Sequence, residues 1–168
     1  MELMDVIRQR RSIRRYKSDP VPEDDIEYVL EAARLAPSWA NSQCWKFIVI
    51  KDETVKQELA KAGNGWIAQA PVIIAACADP TKSGVKGDQQ YYMLDIGIAM
   101  EHLILAATER GLGTCWIGWF EEKPAKKALG VPEEIRLVAT TPLGYPDESP
   151  KSRGRKELEE ITSFDKYE

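Results

Sequence analysis

Residues 93–107 constrain this chain more than any other stretch. They are apolar almost all round, interrupted only by Asp95, Glu101 and His102. A helix with no polar face has to be buried, within its own domain or against a partner. A bilayer span needs ~20 mostly apolar residues, so this shorter run with three polar groups predicts no membrane role. Gly111, Leu112 and Gly113 stop it.

With 168 residues, the chain falls within the ~100–200 usual for one domain. Residues 1–168 are therefore read as a single domain, large enough to need no disulfide or metal staple. Leu3, Val6, Ile7 and Arg10 fall at helical spacing, which gives the first helix an apolar face. An arginine on that face needs a partner. Pro22 opens a second helix, with Glu23, Asp24 and Asp25 in its first turn and a stripe at Ile26, Val29, Leu30 and Ala33. Pro37 closes it. Segments 53–62 and 121–130 read as helices, the latter ending at Gly130. Four separated strands are predicted over 45–50, 71–77, 114–120 and 135–141, with 142–146 turning away. Gly118 inside the third strand signals a bulge or a close approach to a ligand.

Composition narrows the chemistry. The single histidine, His102, excludes metal sites that need two or more imidazoles. In the apolar helix it reads as a hydrogen-bonded core or interface group. Cys44, Cys77 and Cys115 lie far apart and form no Cys-x-x-Cys, which predicts a reducing, cytoplasmic setting. All three read as small apolar residues of strands. No basic stretch followed by an apolar run opens the chain, so no secretory signal is expected. Neither a Gly-x-Gly-x-x-Gly nor a Gly-x-x-x-x-Gly-Lys motif is present.

The net charge of −4 hides two basic clusters. Arg8, Arg10, Arg11, Arg14, Arg15 and Lys17 form one; Lys151, Arg153, Arg155 and Lys156 form the other. Without these ten, 13 basic residues face 27 acidic ones. The clusters are either two solvated patches or one anion site built from both ends of the chain. An acidic body around a small basic site suits a small phosphorylated ligand and argues against nucleic acid.

Four segments stand in order: Arg10 to Tyr16 (RRSIRRY), Ala36 to Trp45 (APSWANSQCW), Gly111 to Gly118 (GLGTCWIG) and Pro150 to Arg153 (PKSR). Together they resemble the nitroreductase family of FMN-dependent oxidoreductases, over nearly the whole chain. The resemblance implies an α+β fold, with a mixed, mostly antiparallel sheet flanked by helices, in an intertwined homodimer. FMN would sit at the dimer interface, and residues 93–107 would form the interface helix.

The same resemblance implies roles. Arg10, Arg11 and Ser12 match positions at the FMN phosphate and ribityl end, and Lys151 and Arg153 match the basic pair that closes on the phosphate. Arg14 matches a cation beside the pyrimidine edge, where negative charge builds on reduction. Pro37, Ser38, Trp39, Asn41 and Gln43 match a loop that reaches the flavin from the partner subunit. Read by itself, Ser-x-x-Asn-x-Gln is also compatible with a plain turn. Trp116, Ile117 and Gly118 match the stretch along the N5 edge, where a backbone N–H bonds N5. Many relatives have proline where this chain has Cys44.

The implied activity is hydride transfer from NADH or NADPH to flavin N5, then to a small-molecule acceptor such as a nitroaromatic or quinone, in ping-pong order. No protein nucleophile is required. A flavin-binding carrier or sensor, and a reductive dehalogenase or flavin-cleaving relative on the same fold, remain open alternatives.

Overall fold

The computed structural model describes residues 1–167. Glu168, the last residue of the expected domain, lies outside the described residues. The chain begins with α1 (Leu3–Gln9) and α2 (Glu23–Arg34), then β1 (Trp45–Ile50), α3 (Glu53–Ala60) and β2 (Val72–Ala78). A short hairpin, β3 (Val85–Lys86) and β4 (Gln89–Gln90), leads into the long α4 (Tyr91–Glu109). It closes with β5 (Gly113–Thr114), α5 (Glu122–Leu129) and β6 (Arg136–Gly144).

Local chemistry accounts for most boundaries. Pro22 is the N-cap of α2, and the acids that follow sit where the helix dipole favours them. The Asp52 carboxylate caps α3 by accepting the Val55 N–H at 2.9 Å.

The main sheet has the order β1-β2-β6-β5, and every strand pair in it is antiparallel. All seven residues of β2 are buried, because both faces of the sheet are covered. Val72 and Ile74 pack with Val29 and Ala33 of α2 and Leu103 and Ala107 of α4. Ile73, Ala75 and Cys77 point the other way, into a core with Leu59 of α3 and Ala125 of α5. The period-two alternation of one strand thus divides the molecule into three layers.

Three expectations change. The strand predicted over 114–120 shrinks to Gly113–Thr114, followed by a single bridge between Ile117 and Thr140. The next ladder partner would be Pro142, which has no N–H; the Cys115 N–H goes instead to Thr141 Oγ1 at 3.2 Å. Conversely, β6 does not turn away at Pro142 but runs to Gly144, with Pro142 paired to Ile73 and Leu143 to Val72 of β2, while β5 pairs only Leu143 and Gly144. Finally, α1 buries only Val6, and Leu3 and Ile7 stay exposed.

Helix α4 is buried along one side through Tyr92, Ile96, Ala99, Met100, Leu103 and Ala107. Its other side leaves Met93, Leu94 and Ile98 at 39–57% exposure. His102 Nδ1 lies 3.3 Å from the Ala32 carbonyl, joining α4 to α2. Among the described residues, no helix is long and apolar enough to cross a membrane.

Candidate functional site

The two basic clusters come together because the chain ends are zipped along one another. Ser12 pairs with Thr114, and the Ile13 N–H donates to the Thr114 carbonyl at 2.8 Å. Gly113 permits this approach, since a Cβ there would lie 2.8 Å from Ile13 Cγ1. Tyr16 pairs with Pro146, the Lys17 N–H donates to Tyr145 O at 2.9 Å, and the Asp147 N–H donates to Arg15 O at 3.0 Å. The Tyr16 hydroxyl donates to Ile13 O at 2.5 Å, and burial raises its pKa far above the usual phenol range.

The result is a cavity of about 200 Å³ lined by Arg10, Arg11, Ser12, Arg14, Pro150, Lys151, Ser152, Arg153 and Arg155. Six of these are cationic and none is acidic. Arg11 Nη1 is committed to the carbonyls of Arg8 and Arg10, at 2.6 and 2.8 Å. Arg155 Nη1 donates to Arg153 O and Gly154 O, both at 3.1 Å. Arg10, Arg14, Lys151 and Arg153 form no ion pair among the described residues. The inward ion pair expected for Arg10 does not form among the described residues; its charge only pulls back the Glu101 carboxyl of α4, which desolvation holds above its ordinary value. A cavity of cations and hydroxyls without acids has the donor chemistry that suits a phosphate ester.

Pro37, Ser38, Trp39, Asn41 and Gln43 lie elsewhere on the same chain, and none of them lines the basic cavity. Their segment is a tight loop around a 3₁₀ turn at Trp39–Asn41. Ala40, Asn41 and Gln43 have φ of 47°, 55° and 47°, left-handed values that cost a non-glycine residue ~1 kcal/mol each. Internal hydrogen bonds hold the turn. Ser38 Oγ accepts the Gln43 N–H at 2.9 Å, and the Gln43 amide reaches Asn41 Oδ1 at 3.3 Å. The Trp39 N–H donates to Asp95 Oδ1 at 2.8 Å. Among the described residues, the buried Ser42 hydroxyl has no partner.

Of the third set, Ile117 is turned into the core, and its N–H donates to Thr140 O at 3.0 Å. Trp116 and Gly118 are exposed, and their N–H groups form no hydrogen bond among the described residues. Any backbone donor offered to a ligand here comes from those two positions.

None of the cysteines is a ready nucleophile. Burial pushes the Cys44 thiol up to about 11, with the Asp95 charge adding to it. Burial likewise takes Cys77 to about 11 and raises Cys115. Among the described residues, no group of three or more His, Cys, Asp or Glu could hold a metal ion.

Two acids escaped the sequence reading. Glu148 accepts the backbone N–H groups of Arg14 and Arg15, and its sequence signal is the acidic pair Asp147-Glu148 just before the second basic cluster. Asp95 stood out only as an interruption of an apolar helix, yet it anchors the 38–43 loop.

The sequence profile of the nitroreductase family matches residues 7–64 and 56–145. The chain belongs to the nitroreductase family. An Archaeoglobus fulgidus relative, whose name carries both NADH dehydrogenase and NAD(P)H nitroreductase, is 36% identical over 86% of each chain. The crystal structure of a nitroreductase family protein from Clostridium difficile 630 superposes with a TM-score of 0.91 at 30% identity, covering 99% of this chain and 100% of the other. An FMN-dependent nitroreductase from Clostridium difficile R20291 superposes at 0.87 with 29% identity, covering 98% and 99%. The nitroreductase fold expected from the four motifs is therefore the fold this chain has.

Proposed function

We propose that this chain is an FMN-dependent NAD(P)H oxidoreductase whose two flavin sites form between two copies of the chain. The observation that carries the reading is the acid-free cavity joining residues 10–14 to residues 150–155. Its donor set suits the FMN phosphate: Arg10, Arg11, Lys151 and Arg153 supply charge, and Ser12 supplies a hydroxyl. Family members named for FMN and for NAD(P)H support the choice of cofactor and electron donor.

Bound there, FMN supplies hydride acceptance and donation at N5, from NADH or NADPH to an acceptor such as a nitroaromatic or quinone. The chain's own part is placement and electrostatics. Arg14 is the cation for charge that accumulates on the isoalloxazine. Ser38, Asn41 and Gln43, offered by the second copy, are neutral donors and acceptors for the ribityl chain and ring edge. Trp116 and Gly118 present unused N–H groups. The exposed apolar residues Met93, Leu94 and Ile98 of α4, with Leu3, Met4 and Ile7 exposed on α1, are where the second copy docks.

The test is spectroscopic. The purified protein should be yellow, bleach anaerobically with NADH or NADPH, and recolour with a nitroaromatic or quinone. A bound flavin that neither nucleotide reduces would move the reading to a carrier or sensor.

A further inference from the structure

Asp95 is 3% exposed, and it forms no ion pair among the described residues. Three neutral donors surround its carboxylate. Oδ1 accepts the Trp39 N–H at 2.8 Å; Oδ2 accepts the Ser83 hydroxyl at 2.9 Å and lies 3.5 Å from Cys44 Sγ. A buried carboxylate without a cation depends on such donors.

Trp39 and Cys44 bracket the segment that holds the left-handed residues Ala40, Asn41 and Gln43. Both ends of that strained loop are thus pinned to one side chain on the best-buried helix. The Ser83 contact ties in the segment before the β3–β4 hairpin. That segment also seats the indole: a Cβ on Gly84 would fall 2.4 Å from Trp39 Cε2. Trp39 stacks on Tyr91 with centroids 6.5 Å apart and planes 20° apart, and the Tyr91 N–H donates to Gly84 O at 3.0 Å.

We propose that Asp95 is the positioning residue of the 38–43 loop, holding that loop and the 83–91 hairpin as one rigid unit so that Ser38, Asn41 and Gln43 meet the flavin already in place. The inference rests on the reading of this loop as part of a flavin site. Asp95 does not touch the cofactor; it acts through Trp39 and Cys44.

The experiment compares Asp95→Asn, Asp95→Leu and Gly84→Ala in the holoprotein. It reads FMN affinity by fluorescence and amide exchange by NMR. An asparagine oxygen still accepts the Trp39 N–H, so Asp95→Asn should stay within about threefold of the parent affinity. Leucine fills the space without accepting. It should speed Trp39 amide exchange and weaken FMN binding, each at least tenfold, while the amides of β2 stay protected. A role in stability alone would not separate those two sets of amides. Gly84→Ala leaves Asp95 intact and displaces Trp39, so it should weaken FMN similarly. If Asp95→Leu does not fold, Gly84→Ala decides, and parent-like affinity there overturns the proposal. Released Trp39 exchange with unchanged FMN affinity in Asp95→Leu overturns the proposal and leaves the flavin reading standing. A parent protein that takes up no FMN sinks both.

Discussion

The Glu148 carboxylate holds the backbone of Arg14: Oε1 accepts the Arg14 N–H at 2.6 Å and the Arg15 N–H at 3.3 Å. Its other oxygen lies 3.5 Å from Arg15 Nε. An acid therefore stands behind the basic cavity, fixing the main chain while the Arg14 guanidinium stays unpaired. Replacing Lys151 and Arg153 together by alanine should remove two charge-assisted phosphate contacts, worth ~1.5 kcal/mol or more each, so FMN affinity should fall at least ~100-fold. Flavin retained in full through gel filtration of that double variant would refute the joined phosphate site. Glu148→Ala should weaken FMN more mildly, and Glu148→Gln, which keeps an acceptor, less still.

Ile98→Glu places a charge in the exposed apolar strip of α4. Sedimentation should show the parent as a dimer and this variant as a folded monomer with little bound flavin. A flavin-loaded monomer would contradict the two-copy site.

Cys44→Ser should keep turnover, because a hydroxyl still donates to Asp95. The Cys44 thiol stays protonated near neutrality, so alkylation of the folded protein at about pH 7.5 should be slow.

Cys77 gives the pH dependence a sign. Burial lifts its pKa from 9.0 to about 11, so across that window the folded chain keeps a proton that the unfolded chain releases. This contribution to stability is complete below pH 9.0 and lost as pH rises towards 11. Urea midpoints for the parent should fall more steeply over this range than those of Cys77→Ala.

Lys56 is 2% exposed, with Nζ 2.8 Å from Ala70 O and 2.7 Å from Glu53 Oε1. Lys56→Met should lower stability by ~1–3 kcal/mol, because the Ala70 carbonyl loses its buried donor. Thermal unfolding followed by circular dichroism would measure it.

The elements that were legible in the sequence are those with a local cause. The stripe of α2 follows from the periodicity of its own residues, and the wholly buried β2 and the long α4 follow from their continuous apolar runs. The shortened β5 does not, since it depends on Pro142 arriving opposite Cys115 from a distant strand. At the site, counting charges found the cavity's walls, because six cations with no acid among them are a compositional signal. It could not find Glu148 or Asp95. Single acids are ordinary in an acidic chain, and only their contacts across 134 and 56 residues of sequence distinguish them.

The cavity draws on residues 10–14 and 150–155, so no contiguous fragment much shorter than the whole chain contains it. During synthesis the N-terminal arginines emerge long before the residues that complete their pocket. On the proposed reading, an anionic cofactor gripped by both segments therefore cannot template early folding; it can only seal a fold already made, and local opening of either segment would free it.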